Sequence, residues 1–368
     1  MIRRVVAAGI TAGLSAVTFR AVSRRAVERL LHAPRTGPGE KSLDAALDEL
    51  GGEVVRLPAR DGLRLAARWL PAESGKAGEA GWNPDPHEAI LLLHGYSGSI
   101  APDLVEYGPF LRRTAGVLGL DFRGHGGSDD GPTTFGLLET EDIAGALAWL
   151  GERGITRVAL MGTSMGAIAA IAAAAVLGDG TLVAADGDPD APRDVDVAPR
   201  SIIVGIVADS AAPELDVPVG SRIRGPGGRF VAARLFDGAA RALGADPRAT
   251  EPARVIGLLE SLPLLLIHGE ADTTVPIWDG RRLAALAGPA TEHWIVPGAD
   301  HSAGHAAATE DYERRVTDFL RVAFGRGRGD DVDSPGHSPI IAAPGPQPAS
   351  RPAHPPWRTD GRKDPRRR

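Results

Sequence analysis

The chain of 368 residues contains no cysteine. Disulfide bonds, a thiol nucleophile and thiolate metal sites are therefore excluded, and the absence fits a reducing compartment. The chain also has no excess of positive charge, because 41 lysines and arginines face 47 aspartates and glutamates and leave a net charge of −6. A protein with this balance lacks an overall basic surface for nucleic acid, so we expect no nucleic-acid partner.

Short apolar runs alternate with helical segments through the middle of the chain, whose length fits one α/β domain with appendages. Such runs indicate strands buried on both faces of a sheet. Strands are predicted at residues 89–93, 115–120, 157–161, 202–208, 264–267 and 293–296. A hairpin over 53–57 and 63–70 precedes them. Because strands that alternate with helices pair in parallel, we predict an α/β fold with a doubly wound, mostly parallel sheet.

The N-terminus differs from this domain, which we place at residues 45–324. Residues 1–25 are a basic and apolar leader, in which arginines flank an uncharged stretch over 5–19. A helix of that length spans roughly 22 Å, short of the roughly 30 Å hydrocarbon core of a bilayer. A membrane anchor, a cleaved signal and an amphipathic or disordered leader all stay open. We accordingly expect a protein that is either membrane-associated through its N-terminus or cytoplasmic.

Four further segments are distinguished by composition. A linker is predicted over residues 26–44 and a disordered tail, rich in glycine, proline and arginine, over 325–368. Inside the domain, an acidic loop is inserted over 178–200, and a longer insertion over 211–261 contains helical material. The longer insertion is placed where a cap or lid could cover the site.

The acidic loop begins like a calcium-binding loop, with Asp186, Asp188 and Asp190 at alternate positions. However, Ala191 stands where the turn glycine belongs, and Val197 stands where the last acidic ligand belongs. We therefore expect a solvated loop here and no metal site.

The segment Gly162-Thr163-Ser164-Met165-Gly166 lies between a buried strand and an alanine-rich helix. A serine on such a sharp strand-to-helix turn is held in a strained conformation with its hydroxyl exposed, and the flanking glycines let the helix cross its own strand. The helix N-terminus would favour a negative oxygen beside the hydroxyl. The pentapeptide alone is a weak signal, but this context marks Ser164 as a candidate nucleophile.

A serine nucleophile needs a base, and the base needs an orienting carboxylate. Asp272 follows a buried strand and is the candidate acid, with Glu270, Asp279 and a plain helix-capping role for Asp272 as alternatives. His301 follows the last strand on a glycine-containing loop and is the candidate base, with His305 as the alternative.

Three segments, taken together with Asp272 and His301, resemble the α/β-hydrolase superfamily, and within it the serine esterase and serine aminopeptidase-like branch. They are His94-Gly95-Tyr96-Ser97-Gly98, Asp121-Phe122-Arg123-Gly124-His125-Gly126-Gly127-Ser128 and Gly162-Thr163-Ser164-Met165-Gly166. The resemblance covers about residues 53–324. It implies the α/β-hydrolase fold with a small cap insertion and a triad in the chain order serine, acid, histidine.

The resemblance also implies an oxyanion hole formed by the backbone N–H groups of Tyr96 and Met165. It implies a structural turn, not a reactant, for the segment that begins at Asp121. His94 and His268 each precede a glycine at a strand end, and we expect them to shape the walls of the site.

We therefore predict a serine hydrolase that cleaves a carboxylic ester of a small acyl substrate through an acyl-enzyme, with no cofactor and no metal. A peptidase or thioesterase of the same fold stays open. So does a protein of another class, a non-catalytic interaction protein on a hydrolase scaffold. The oligomeric state is left open.

Overall fold

The computed structural model describes residues 23–33, 41–73, 84–96, 98–178, 201–223 and 225–325. The predicted leader up to residue 22, the acidic loop with Asp186, Asp188 and Asp190, and the predicted tail beyond residue 325 lie outside these ranges. Among the helices in the described ranges, none has the length and apolar character needed to cross a membrane.

A single sheet of eight strands, in the order β1-β2-β4-β3-β5-β6-β7-β8, forms the centre of the molecule. β1 and β2 pair antiparallel, β2 also pairs antiparallel with β4, and all other neighbours are parallel. The strands are β1 Glu53–Pro58, β2 Arg64–Leu70, β3 Glu88–Leu93, β4 Gly116–Leu120, β5 Arg157–Thr163, β6 Ile202–Asp209, β7 Leu264–Gly269 and β8 Thr291–Val296. The mostly parallel sheet and its antiparallel entry hairpin confirm the predicted fold.

Helices cover both faces of this sheet, as a parallel sheet requires. The helices are α1 over residues 23–31, α2 Lys41–Leu50, α3 Ile100–Leu111, α4 Glu139–Glu152, α5 Met165–Leu177, α6 Asp216–Ser221, α7 Gly228–Leu243, α8 Pro252–Val255, α9 Ile277–Leu286, α10 Gly304–Ala307 and α11 Thr309–Ala323. Short 3₁₀ helices flank α8 at Pro247–Thr250 and Ile256–Leu259.

Strand β3 shows why the core has two halves. All six of its residues are buried, and successive side chains point to opposite faces. Leu91 and Leu93 pack in the half of the core that includes α4 and α5, whereas Ile90 and Leu92 pack in the half that includes α3 and α11. A strand buried on both faces has no polar break, which is the pattern from which it was predicted.

Helix α1 lies in a region that the sequence analysis assigned to leader and linker. Val27, Leu30 and Leu31 are buried there, and their i, i+3, i+4 spacing places them on one helical face. Val27 packs so closely on the cap helix α7 that a β-carbon added to Gly238 would lie 2.6 Å from its side chain. The structure therefore differs from the predicted linker at residues 26–31 and again at 41–44, which belong to α2.

The insertion over 211–261 folds into α6, α7, α8 and the two 3₁₀ helices. Helices α6 and α7 pack tightly, because a β-carbon on Gly220 would lie 2.7 Å from the backbone nitrogen of Arg229. This helical unit, together with α1, stands beside the carboxyl ends of the strands.

Candidate active site

Ser164 lies between β5 and α5 with φ 50° and ψ −109°, a conformation that few non-glycine residues adopt. Two close approaches explain the flanking glycines. A β-carbon on Gly162 would lie 2.3 Å from the carbonyl carbon of Gly166, and one on Gly166 would lie 2.2 Å from the oxygen of Leu93. The predicted strand–turn–helix around Ser164 is therefore present, with the strain that such a turn requires.

The three side chains predicted for the triad meet at the carboxyl ends of the strands. His301 Nε2 lies 2.8 Å from Ser164 Oγ, and His301 Nδ1 lies 2.8 Å from Asp272 Oδ2. A carboxylate only accepts hydrogen bonds, so its position beside Nδ1 assigns the proton of the neutral imidazole to that nitrogen. Nε2 is then free to accept the hydroxyl proton of Ser164.

The loop after β7 fixes the carboxylate of Asp272. Its Oδ1 accepts hydrogen bonds from the backbone N–H groups of Thr274 at 2.8 Å and Val275 at 2.7 Å. His268, which is buried, donates through Nε2 to the carbonyl of Val275 at 2.7 Å. His268 thus holds the loop that carries Asp272, here called the acid loop. This is a more specific role than the predicted one of shaping the wall of the site.

The alternative acids and base have other partners. Glu270 accepts from the N–H of Gly298 at 3.1 Å, and Asp279 lies in α9 at 3.9 Å from Arg229. His305 lies with Nδ1 2.9 Å from Glu106 and Nε2 3.4 Å from Glu313. The arrangement thus brings Asp272 and His301 to the serine and engages their alternatives elsewhere.

Two backbone N–H groups flank the nucleophile. Met165 is the first residue of α5, so its N–H belongs to the first turn, which has no intrahelical acceptor. Gly95 passes close to the serine, because a β-carbon on it would lie 3.7 Å from Ser164 Cβ. Tyr96 follows directly, which places the peptide that joins these two residues beside the nucleophile.

His94 lies beneath that peptide and is completely buried. Its Nδ1–H donates to the carbonyl of Gly95 at 2.7 Å, and its Nε2 accepts from the N–H of Phe122 at 3.1 Å. Burial and, secondarily, the neighbouring His125 lower the pKa of His94 to about 4. A neutral ring with its proton on Nδ1 satisfies both contacts. His94 therefore holds the peptide between Gly95 and Tyr96 and, being fully buried, does not line the wall of the site.

The segment that begins at Asp121 is a turn held by its own polar groups, as the resemblance implied. The carboxylate of Asp121 accepts from the N–H groups of Ile100 and Gly127, both at 2.7 Å. Ser128 donates to the carbonyl of Asp121 at 2.6 Å. Gly126 has φ +44° and lies so close to this carboxylate that a β-carbon there would be 2.1 Å from Oδ2.

Arg123 of the same segment is buried and pairs with Asp142, to which its side chain donates at 2.9 and 2.6 Å. The backbone N–H of Arg123 also donates to Asp142 at 2.9 Å. A buried pair with this many hydrogen bonds fixes the turn to helix α4, and neither residue is placed among the triad side chains.

Three aromatic side chains that no sequence motif marks pack in a row that begins beside the site at Tyr96. Tyr96 stacks on Phe135 with ring centroids 5.2 Å apart, and Phe135 meets Phe236 of α7 edge-on at 5.8 Å. The hydroxyl of Tyr96 donates to the carbonyls of Arg29 and Leu30 in α1, at 3.3 and 3.4 Å. Tyr96 and Phe135 thus connect the site to α1 and to the cap, and Phe135 and Phe236 are buried in this contact.

A second residue missed by the sequence analysis is Asp103, in the first turn of α3. It accepts a hydrogen bond at 3.1 Å from the hydroxyl of Thr163, the residue before the nucleophile. Burial raises the pKa of Asp103 to about 7. Its sequence context carries no motif, because only the fold brings α3 to the end of β5.

Comparisons with known proteins agree with this geometry. The model of a family described as "Alpha/beta hydrolase family" matches residues 90–317. The uncharacterized protein YfhR of Escherichia coli (strain K12) is 24% identical over 281 residues, which is 75% of this chain and 83% of the relative. YfhR of Salmonella typhi is 26% identical over 278 residues, covering 74% of this chain and 82% of the relative.

Two solved structures are similar in fold. The esterase Pf2001 of Pyrococcus furiosus superposes with a TM-score of 0.54 at 21% identity, covering 80% of this chain and 97% of that one. An alpha-beta hydrolase from Vibrio vulnificus superposes with a TM-score of 0.56 at 18% identity, covering 80% of this chain and 93% of that one.

Proposed function

Because this chain belongs to the alpha/beta hydrolase family, we propose that it is a serine hydrolase that cleaves carboxylic esters through an acyl-enzyme. The observation that carries the proposal is the continuous hydrogen-bonded chain from Ser164 to His301 to Asp272, with both contacts at 2.8 Å. At these distances a histidine can take the hydroxyl proton of a serine while a carboxylate orients the imidazole.

The reaction begins when Ser164 Oγ attacks the ester carbonyl and its proton passes to His301 Nε2. Asp272 holds the imidazole and stabilises the positive charge that forms on it. The carbonyl oxygen becomes an oxyanion, to which the N–H groups of Tyr96 and Met165 donate. Collapse of this intermediate expels the alcohol, which takes the proton back from His301 and leaves an acyl group on Ser164.

Water then enters and repeats the sequence. His301 removes a proton from the water, the resulting hydroxide attacks the acyl carbonyl, and the second tetrahedral intermediate is stabilised by the same two N–H groups. When it collapses, Ser164 recovers its proton from His301 and the carboxylic acid leaves. Each step uses only groups of this chain.

An ester is proposed because Ser164, His301 and Asp272 supply a nucleophile, a base and an orienting carboxylate, which are the groups that acyl transfer from an ester needs. The similar Pyrococcus furiosus protein is described as an esterase, which agrees with this assignment. A thioester substrate would use the same groups, so it is the alternative within this mechanism.

Labelling with a fluorophosphonate probe tests the nucleophile. The wild-type protein should be labelled and Ser164→Ala should not. Ser201→Ala is the matched control, because it also removes a buried serine hydroxyl, one that lies 2.9 and 2.7 Å from the carbonyl oxygens of Leu147 and Ile155. Absence of labelling in the wild type would exclude a reactive serine and would favour a non-catalytic interaction protein.

A substrate panel tests the bond. Hydrolysis of p-nitrophenyl esters of several acyl lengths should exceed that of aminoacyl anilides and of acyl thioesters of the same length. A marked preference for anilides would identify a peptidase, and a preference for thioesters would identify a thioesterase.

A further inference from the structure

Asp209 and Ser210, at the carboxyl end of β6, contact all three parts of the chain that supply the proposed triad. The carbonyl of Asp209 accepts from the N–H of Ser164 at 2.8 Å. The N–H of Ser210 donates to the carbonyl of Ile267 on β7, the strand that leads to Asp272, at 2.9 Å. The hydroxyl of Ser210 accepts from the N–H of Ser302, the residue after His301, at 2.9 Å.

The Ser210 hydroxyl is held in one orientation by a buried carboxylate. It donates to Asp209 Oδ1 at 2.9 Å, and the hydroxyl of Tyr312 on α11 donates to Asp209 Oδ2 at 2.9 Å. A serine hydroxyl has a single proton. Because that proton is directed to Asp209, a lone pair of Ser210 Oγ is directed to the N–H of Ser302.

This arrangement costs free energy through the desolvation of a buried carboxylate and through backbone strain, neither of which is needed to pack the core. Asp209 is 1% exposed, and burial raises its pKa because the charged form loses its water. Ser210 and Ser302 have φ values of 58° and 52°, in the region that favours glycine. An apolar residue at 209 would avoid the desolvation but would leave the Ser210 hydroxyl free to rotate.

His301 is therefore tied to the rest of the site on both sides. Before it, Asp300 accepts from the backbone N–H of Thr273 in the acid loop at 2.9 Å. After it, Ser302 donates to Ser210. Misplacement of a catalytic group by about 1 Å can cost roughly a hundredfold in rate, so the position of this loop matters for the 2.8 Å contact with Ser164.

We propose that Asp209, Ser210 and Tyr312, here called the Asp209 network, are positioning residues that hold the His301 loop in register with Ser164. Asp209 connects Ser164 to the His301 loop. Its backbone carbonyl accepts from Ser164, and its side chain orients the Ser210 hydroxyl, which accepts from Ser302. The inference rests on the proposed function, since it concerns the geometry of that same triad.

Two variants and one control test the Asp209 network. Ser210→Ala keeps the β-carbon and the backbone strain but removes the hydroxyl, and Tyr312→Phe removes one donor to Asp209. Ser201→Ala is the control, because Ser201 directly precedes β6 at its other end and is also buried. The measurements are kcat and KM on a p-nitrophenyl ester, the rate of fluorophosphonate labelling, and Tm.

Ser210→Ala should lower kcat by about 10- to 100-fold with KM nearly unchanged, and should lower the labelling rate by the same factor. Tyr312→Phe should lower kcat and the labelling rate by a smaller factor. All variants are compared at a temperature well below their Tm values, so that each is folded. Ser201→Ala should keep the wild-type kcat, even where it lowers Tm. Ser210→Gly, which relieves the strain, should be no more active than Ser210→Ala.

Three results would overturn the inference. A labelled wild type with equal labelling and kcat in Ser210→Ala would overturn the Asp209 network and leave the proposed function intact. An equal loss of kcat in Ser201→Ala would show a general effect of losing a buried hydroxyl. An unlabelled wild type would overturn the proposed function and the network together.

Discussion

The Nδ1–H of His94 donates to the carbonyl oxygen of Gly95 at 2.7 Å. In a trans peptide the C=O and the N–H point in opposite directions, so fixing this carbonyl also fixes the N–H of Tyr96. That N–H is the proposed oxyanion donor, and the contact of His94 with Gly95 sets its direction. Protonation of His94 would remove its acceptor for the N–H of Phe122, which lies at 3.1 Å.

The contribution of His94 to the stability of the protein should therefore fall in mild acid. The pKa of His94 is lowered by burial to about 4 from an ordinary value of 6.5. Between these values the unfolded chain takes up a proton that the folded chain does not, so stability is lost as pH falls from about 6.5 to 4, by up to about 3 kcal/mol. Because Asp103 also titrates in this range, the test is the comparison with His94→Gln: urea unfolding between pH 6.5 and 4 should show a more positive slope of stability against pH in the wild type than in this variant. Equal slopes would contradict the assignment.

Asp103 should produce the opposite dependence. Its pKa is raised by burial from 3.8 to about 7, so the folded state holds a proton that the unfolded state releases between those values. Its contribution to stability is therefore lost as pH rises from about 4 to 7. Asp103→Asn can still accept a hydrogen bond from Thr163. As pH rises from 5 to 8, the free energy of unfolding of this variant should increase by on the order of 1–2 kcal/mol relative to that of the wild type. The same difference at both pH values would show that Asp103 is ionised throughout.

Asp272→Asn should lower kcat by about 10³- to 10⁴-fold with little loss of stability. The amide cannot accept at both of its positions, whereas Asp272 accepts from two backbone N–H groups and from His301. The matched controls are Glu270→Gln and Asp279→Asn, the alternative acids, which should keep activity within a few-fold of wild type. If either control were inactive and Asp272→Asn active, the acid would be misassigned. Ester hydrolysis at saturating substrate checks this.

His301→Gln should abolish fluorophosphonate labelling at ordinary probe concentration, because Ser164 then lacks a base. His305→Gln is the matched control. It removes the alternative base, which lies 2.9 Å from Glu106, and it should leave the labelling rate near that of wild type. Comparable losses in the two variants would mean that the 2.8 Å contact of His301 with Ser164 does not activate the serine.

Gly166→Ala should destabilise the fold by about 1–3 kcal/mol or more, because the added methyl would lie 2.2 Å from the carbonyl of Leu93. Gly257→Ala is the control, since its nearest neighbour would be 3.7 Å away. That substitution should change stability by no more than about 0.5 kcal/mol. Chemical unfolding of both variants measures the difference, and equal values would contradict the close crossing of α5 over the sheet.

The candidate triad could be predicted because each of its residues follows a strand of the sheet. Ser164 and Asp272 each follow a buried apolar strand, His301 follows the partly exposed strand β8, and parallel strands end at the same edge of a sheet. The Asp209 network could not be predicted in this way, because Tyr312 comes from the interior of α11 and reaches Asp209 only through packing. Asp103 shares this property, since α3 is brought to Thr163 by the topology and not by chain spacing.

Helix α1 was missed for a different reason. The proline and glycine residues near it indicated a linker, yet Val27, Leu30 and Leu31 already have the spacing of a buried helical face. The prolines and glycines over residues 34–39, which follow directly, obscured this spacing. The carboxylic ester specificity and the membrane association of the leader stay predictions.

Shortening the chain from its N-terminus would alter the enzyme itself. A version that starts after residue 33 would lack the carbonyls of Arg29 and Leu30 that receive the Tyr96 hydroxyl. It would also lack the Val27 side chain that rests against Gly238. The Tyr96 side chain and the face of α7 at Gly238 would then lose their contacts with α1, so a trimmed protein should be less stable, and substrate preferences are best measured on a chain that includes α1.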